Sequence, residues 1–380
     1  MEKEMYQFQE RAAECYQLLE DELSRKIFWA RLRCDFEPSP ENTAQLVCLS
    51  EQQKWLNMLE EKLSSIAHTV ENGEKKLILY GTNATGHTVA TLLTKKGIDF
   101  YGFCGRRASE FPDGIMGKPV ISPEYLFQNY REFYVIVAVA ETAEEIKSIL
   151  RENHFPQEQI LSCFKPGETE DHQYFEFPSL FPRGTAFVDG GCLDCRTSYL
   201  FDAWCGGEYS KIFAFEPDPI SYSICQRNLS KKALRDYQLV QAGLSDHDGE
   251  VDFRTGLYGA SHIVNTPDEE DARTVSVPVT TIDKTVKKEK VGFIKMDIEG
   301  AEFDALRGAK NTIVRDKPLL ALSVYHLAGD MLAIMDYLHV LVPEYRFWLR
   351  HYSVDVVDTV LYASVEKVSD SERRKPCNLN

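Results

Sequence analysis

The chain has 380 residues, 43% of them hydrophobic and 27% charged, with 21 Phe and 18 Tyr. That length predicts two or three domains of roughly 100–200 residues and excludes a peptide hormone or a lone binding module, while the apolar content excludes wholesale disorder. Subtracting 59 acidic from 43 basic side chains leaves a formal charge of −16, which repels phosphate backbones and anionic lipid, so neither nucleic acid nor a membrane surface is expected as a partner.

The first residues, MEKEMYQFQE, are acidic and do not read as a signal peptide. Residues 1–72 carry helical periodicity: Phe8, Ala12, Cys15, Leu18 and Leu19 share one face, and Leu23, Ile27, Phe28 and Leu32 continue it, which predicts a helical hairpin. Two prolines and a serine break the pattern over residues 36–42. A further helix is expected over residues 51–68, with Trp55, Leu56, Leu59, Leu63 and Ile66 on its apolar side. Nothing in this region carries chemistry; it reads as a helical cap or an oligomerisation element, which leaves a homo-oligomer open.

From Lys75 the pattern changes to a short apolar strand, KLILY, a glycine-bounded turn, GTNATG, and a helix, HTVATLLTKKG. A second strand, DFYGF, the segment Gly117-Lys118-Pro119-Val120-Ile121, a strand over residues 134–140 and a helix to Leu150 continue the alternation. Residues 73–165 are therefore expected to form a small Rossmann-like α/β domain. Its turn carries Gly81, Asn83 and Gly86, so asparagine stands where a dinucleotide fingerprint has its middle glycine. No carboxylate ends its second strand; Phe103, Cys104 and Gly105 are followed by Arg106 and Arg107, which read as a solvated basic turn. The glycine turn, the strand ending near Gly105 and the run G-x-P-V-I-S-P resemble Rossmann-like modules found beside sugar-modifying enzymes.

After a polar connection over residues 165–173, a strand over residues 185–189 ends at Asp189 and is followed by Gly190 and Gly191, then CLDC and a helix over residues 196–204. A second strand over residues 211–216 ends at Glu216, about 25 residues beyond the turn, where a ribose diol would be gripped. Asp189 and Glu216 thus sit at the carboxyl edge of adjacent strands, an arrangement suited to a nucleoside. Strands are further expected over residues 237–242, 291–297 and 319–325, with residues 345–352 and 356–364 as a closing pair containing one antiparallel member. The fourth strand reads GFIKMDIEGAE into a helix over residues 303–309, so Lys295, Asp297 and Glu299 alternate near the ligand edge. A polar insertion separates the third and fourth strands. The apolar runs fall far short of the roughly 20 residues that span a bilayer. The 10 cysteines fit a reducing, cytoplasmic setting without disulfides. Cys192 and Cys195, with Cys205 nearby, make a CxxC pair that could ligate zinc or cycle electrons, but no second CxxC exists and no metal site is expected.

The motifs FVDGG, FAFEPDP, AGLSD, VTTID and FIKMDIEGAE followed by LRGA resemble the FkbM family of S-adenosylmethionine-dependent methyltransferases, across roughly residues 183–365. The resemblance implies a class I methyltransferase domain over residues 176–368, a seven-stranded, mostly parallel sheet, with S-adenosylmethionine held by Asp189, Gly190, Gly191, Glu216, Leu244, Ser245 and Asp297. In that family the usual acceptor is a hydroxyl, often of a sugar, glycan or secondary metabolite. The chain departs from the family at Cys195, where a further glycine is common, so the loop is expected to lack that residue's access to positive φ.

Methyl transfer from a sulfonium is an in-line displacement in which positioning supplies most of the acceleration, but a hydroxyl acceptor also loses a proton. His326, at the end of the fifth strand, is the expected base because imidazole titrates near neutrality. Asp297 is the rival base and Lys295 an orienting cation, while His351, and then His262 beside Ser261, are acceptor-side candidates. No ligand set for a catalytic metal emerges around Asp297. A non-catalytic nucleotide-binding scaffold and a nicotinamide-dependent sugar-modifying protein centred on residues 73–165 are the alternatives.

Overall fold

The computed structural model describes residues 2–50, 53–139, 142–162, 173–255, 262–263, 274–369 and 372. Ala140, the connection over residues 165–172, Ser261 and the side chain of Trp55, all named above, lie outside what is described. The chain divides into two compact units, one made of residues up to Phe28, 172–350 and 358 onward, the other of residues 29–171 and 351–357. The region read as residues 1–72 is thus shared between them, and the division falls inside its second helix.

Four helices open the chain: α1 (Glu2–Gln17), α2 (Glu22–Phe36), α3 (Pro40–Val47) and α4 (Gln53–Glu71). The break expected over residues 36–42 is shorter than its prolines suggested. Ser39 caps α3 through its Oγ, which accepts from the Asn42 amide at 3.2 Å, and Pro40 occupies the first turn, where its missing N–H costs nothing.

In the second unit, β1 (Lys76–Tyr80), α5 (Ala84–Lys95), β2 (Gly102–Cys104), β3 (Val120–Ile121), α6 (Pro123–Gln128), β4 (Phe133–Val137), α7 (Ala143–Glu152) and β5 (Ile160–Ser162) build a five-stranded sheet of order β3-β2-β1-β4-β5. Every pairing in it is parallel. The period of two along β1 sorts its side chains. Leu77 and Leu79 join Val47, Leu59 and Leu63 in one buried cluster, whereas Ile78 and Tyr80 join Leu126, Ile146 and Leu150 in another. Both faces are covered, as a parallel sheet requires.

In the first unit, β6 (Ala186–Gly190), α8 (Arg196–Trp204), β7 (Ile212–Phe215), α9 (Pro219–Lys231) and β8 (Tyr237–Val240) start a second alternation. The polar insertion expected next is instead a four-stranded sheet of order β11-β10-β12-β9, made by β9 (Gly243–Leu244), β10 (Gly249–Arg254), β11 (His262–Ile263) and β12 (Thr274–Thr280). β10 and β12 alternate exposed polar with buried apolar residues such as Phe253, Val277 and Val279, the signature of a half-covered sheet. The chain continues through α10 (Ile282–Val286), β13 (Val291–Met296), α11 (Glu302–Arg307), α12 (Lys310–Asp316), β14 (Leu319–Ser323), α13 (Asp330–Leu341), β15 (Arg346–His351) and β16 (Thr359–Ser364). The main sheet has seven strands in the order β15-β16-β14-β13-β6-β7-β8. β14 pairs antiparallel with β16, while the β14-β13, β13-β6, β6-β7 and β7-β8 pairings are parallel.

β6 is buried along its length, and Phe187 stacks on Phe201 of α8 with ring centroids 4.1 Å apart, with Phe293 and Trp204 alongside. At the far edge, the segment between α1 and α2 lies along β15: Leu19 bridges Phe347, and the Glu20 amide donates to the Phe347 carbonyl at 3.0 Å. There the buried Arg350 guanidinium is held by Asp21 at 2.7 Å and Glu176 at 3.2 Å. No helix among the described residues is long and apolar enough to cross a membrane.

Candidate active site

The carboxyl ends of β6, β7 and β13 face one open cleft of about 700 Å³, lined among others by Gly191, Glu216, Leu244, Phe253, Ile263 and Asp297. Because β6 and β13 are parallel neighbours, with Asp189 in register with Lys295, their ends bring the glycine turn and the DIEGAE segment together. Gly191 has φ +72°, and a Cβ there would overlap the Asp297 carbonyl oxygen, so only glycine lets the two loops approach this closely. A Cβ at Gly190 would crowd Leu244 at 2.9 Å.

Asp189 is fully buried; its Oδ2 accepts from Ser198 Oγ at 2.7 Å, and Lys295 Nζ lies 3.3 Å from its Oδ1. Lys295, only 1% exposed, also donates to the Gly190 and Gly191 carbonyls at 2.9 and 2.7 Å. Both residues therefore brace the turn from beneath. Neither lines the cleft; Lys295, expected as an acceptor-orienting cation, directs its length and charge to backbone carbonyls that would otherwise be buried unpaired.

Glu216 stands just beyond β7. Its Oε2 accepts from the Leu193 amide and its Oε1 from the Asp218 amide, both at 2.9 Å. Burial pushes its pKa up to about 7, against the lowering effect of those two amides. Leu244 lines the cleft, whereas Ser245 does not; Ser245 sits behind it, its amide bonded to the Thr280 carbonyl at 3.0 Å. Cys195 takes φ +67° and Leu193 φ +52°. The loop thus keeps its left-handed backbone without the extra glycine, contrary to the expectation at Cys195, and carries strain of order 1–3 kcal/mol per such residue. Glu299, also at the cleft, has φ +56°.

The opposite wall is a cluster centred on Asp297. Tyr174 Oη donates to its Oδ2 at 2.9 Å and Tyr325 Oη to its Oδ1 at 3.1 Å. Burial alone would raise the Asp297 pKa, but the charges of Lys295 and His326 and the hydroxyls of Ser323 and Tyr174 outweigh it and hold the carboxyl below its ordinary range. His326 Nδ1 lies 2.9 Å from Glu302 Oε1, and its Nε2 lies 3.5 Å from both Asp297 Oδ1 and Glu299 Oε2. Glu302 is fully buried and also accepts from the Ile298 and Gly300 amides at 2.9 Å, which fixes it beneath the imidazole.

Burial would lower the His326 pKa, yet its bonds to Glu299 and Glu302 and the charge of Asp297 raise it to about 10. These surroundings favour the imidazolium, a cation set among three carboxylates, over the neutral ring that the expected role of general base needs. His351 ends β15, is 1% exposed, and has its pKa pushed down to about 3 by burial; it does not line the cleft. His262 pairs with Arg254 in the four-stranded sheet, and its neighbour Ile263 reaches the cleft instead.

Tyr174, Phe253 and Ile263 were not legible as site residues. Tyr174 meets Asp297 across 123 positions of sequence from beside a polar connection, and no local pattern announces it. Phe253 was hidden by reading the β10 segment as an insertion, although its alternation was a usable signal.

The model of the Methyltransferase FkbM domain family matches residues 189–352. Comparison with curated proteins finds no match. Among solved structures, the chain is similar to the methyltransferase FkbM of Methylobacillus flagellatus KT, with 17% identity over 82% of this chain and 100% of that one and a TM-score of 0.44. It is similar to an rRNA methylase of Streptococcus thermophilus at 14% identity, over 52% of this chain and 94% of that one, with a TM-score of 0.33. A third is a Streptococcus mutans protein solved in complex with SAH, at 12% identity over 53% and 99% of the two chains and a TM-score of 0.34. The seven-stranded sheet, with four parallel pairings from β14 to β8 and β16 running antiparallel to β14, is of the class I methyltransferase kind. The glycine turn, Glu216 and Asp297 all lie inside the span, residues 189–352, that the model of the Methyltransferase FkbM domain matches.

Proposed function

We propose that the chain transfers a methyl group from S-adenosylmethionine to a hydroxyl of a sugar, glycan or secondary metabolite, with the chemistry in residues 176–368 and residues 73–165 as a companion domain. The observation that carries this reading is the meeting, on one cleft, of the Gly191 turn and Glu216 with Asp297, whose carboxylate two tyrosines hold. The residues present suit the cofactor. The Gly191 turn admits close backbone approach, Glu216 keeps acceptor capacity beyond its two amide bonds for a ribose diol, and Leu244, Phe253 and Ile263 offer an apolar wall to a purine. When bound, S-adenosylmethionine supplies an electrophilic methyl group on a sulfonium.

Asp297 is the base in this reading. Tyr174 and Tyr325 hold one oxygen each, which fixes the carboxylate plane, and the His326 cation keeps it ionised. As the acceptor oxygen attacks, its proton passes to Asp297; the gain from such a base is roughly 10²–10⁴-fold. The acidic surroundings, Asp297, Glu299 and Glu302 against one imidazolium, disfavour an anionic acceptor and favour a neutral hydroxyl.

Isothermal titration of the full chain with S-adenosylmethionine and S-adenosylhomocysteine, beside Glu216→Ala, tests the cofactor assignment. Saturable binding that weakens about 10- to 100-fold in the variant supports it; no binding of either compound to the wild type overturns it. Hydroxylated acceptors are then screened by release of S-adenosylhomocysteine, with Asp297→Asn expected to bind cofactor but turn over about a hundredfold more slowly. Turnover with amine acceptors alone would rule out the hydroxyl reading.

A further inference from the structure

Beneath the cofactor-side loop lies a group of side chains that the proposed chemistry does not use. Cys192 follows the glycine turn, Cys195 is the N-cap of α8, and Cys225 lies in the middle of α9. All three are buried, at 1%, 0% and 0% exposure. The Cys192 and Cys225 sulfurs are 3.7 Å apart, those of Cys192 and Cys195 4.0 Å apart, and all three lie within 4.8 Å of one another. The second CxxC pair that the sequence lacks is thus partly replaced by one residue brought in by a separate helix. Cys205 is not part of the group; its thiol donates to the Asp202 carbonyl.

We propose that Cys192, Cys195 and Cys225 form a metal site for a soft, zinc-class divalent ion.

Three arguments converge. Sulfurs bound at about 2.3 Å to a tetrahedral ion stand about 3.8 Å from one another, close to the 3.7 and 4.0 Å that separate Cys192 from Cys225 and from Cys195. A disulfide needs sulfurs at about 2.05 Å, so the spacing matches a shared ion better than any pairwise bond. A packing role for the thiols asks for no convergence, because a buried cysteine serves as a small hydrophobe singly. Finally, Cys195 sits at the N-terminus of a nine-residue helix, where the helix dipole favours an anionic sulfur. The purely thiolate donor set selects zinc-class ions over magnesium or calcium, which want oxygen.

Binding is balanced by proton release: three thiols give up three protons to solvent as three sulfur–metal bonds form, and no electron is transferred. Cys225 then surrenders its bond to the Leu193 carbonyl, now 3.1 Å long. In exchange the ion ties both ends of the residue 192–195 loop to α9. Leu193, inside that loop, donates its amide to Glu216, so the metal would stiffen the same loop that Glu216 holds. The site stands whether or not the methyl donor is correctly assigned.

The test uses the full chain, reduced and stripped with a chelator, then titrated with Zn²⁺ alone against a chromophoric competitor. One equivalent of tight binding is expected, weakened about a hundredfold or more in Cys192→Ser and in Cys225→Ser and unchanged in Cys205→Ser. X-ray absorption of the zinc-loaded wild type needs no variant to fold and is expected to show three sulfur neighbours at about 2.3 Å. Absence of zinc uptake, a coordination sphere of oxygen and nitrogen only, or uptake indifferent to Cys192 and Cys225 would overturn the proposal.

Discussion

The five-stranded and the seven-stranded sheet open with the same device, a strand, a glycine turn and a helix, and the two turns put their glycines to different use. In the first, Asn83 caps α5 by accepting from the Gly86 amide at 3.2 Å, and a Cβ at Gly86 would overlap the Gly81 carbonyl. Those glycines pack a turn against itself. β2 ends beside it in the buried thiol of Cys104, and Arg106 and Arg107 pair with Glu145 and Glu110 at the surface. In the second, Gly191 packs against a different strand's loop, and around it stand Asp189, Lys295, Glu216 and Asp297. A glycine turn is a steric necessity wherever a strand hands over tightly to a helix; ionisable groups converging from several strand ends are what single out a site.

Substitutions can sharpen that contrast. The largest effect is expected for Lys295→Met, which strands the buried Asp189 carboxylate and two turn carbonyls: a loss of about 3–5 kcal/mol in denaturant unfolding. Next come the paired changes Gly191→Ala and Gly86→Ala. Each forces a backbone overlap and is expected to cost about 1–3 kcal/mol. Only Gly191→Ala should also abolish binding of S-adenosylmethionine in titration. Equal loss of binding in both would break the distinction between the turns.

A pH series comes third. The Glu216 carboxyl, raised to about 7 from an ordinary 4.5, is disfavoured as an anion in the fold, so its contribution makes stability fall as pH rises from about 4.5 to about 7 and stay level above. Cofactor affinity runs the other way, because ribose hydroxyls donate to the ionised form. Titration at pH 6 and pH 8 should show roughly tenfold tighter binding at the higher pH, and Glu216→Gln should remove the dependence. The smallest effect is a non-event. With its pKa raised to about 10, the His326 imidazole should not titrate between pH 6 and 8 when followed by NMR. Its stabilising effect is complete below its ordinary 6.5 and is lost as pH climbs through about 10.

Period-two and period-3.6 patterns, with glycine punctuation, made both α/β alternations legible, and acid-terminated strands pointed to Asp189, Glu216 and Asp297. The roles within the site were less legible, because charge state depends on neighbours. In sequence Lys295 reads as an orienting cation and His326 as a base, yet one is consumed by turn carbonyls and the other is set among three carboxylates. Partners supplied across long separations escaped altogether. Tyr174 is one; Cys225 is another, though the spacing of Ser221, Cys225 and Leu229 along the buried side of α9 was a signal that this cysteine points inward.

The segment that crosses the edge of β15 bears on how this enzyme could be cut into parts. Domain boundaries drawn from the family match or from the β-α alternation would start an excised piece between residues 176 and 189. Such a piece would keep Arg350 but lose Asp21, and it would lay open the main-chain edge now met by Leu19 and Glu20. A bare edge strand invites pairing with another molecule. A minimal expressible fragment, or a chimera that grafts this domain onto another scaffold, must therefore carry residues 19–24 in place, as a clip supplied from outside the domain's own sequence.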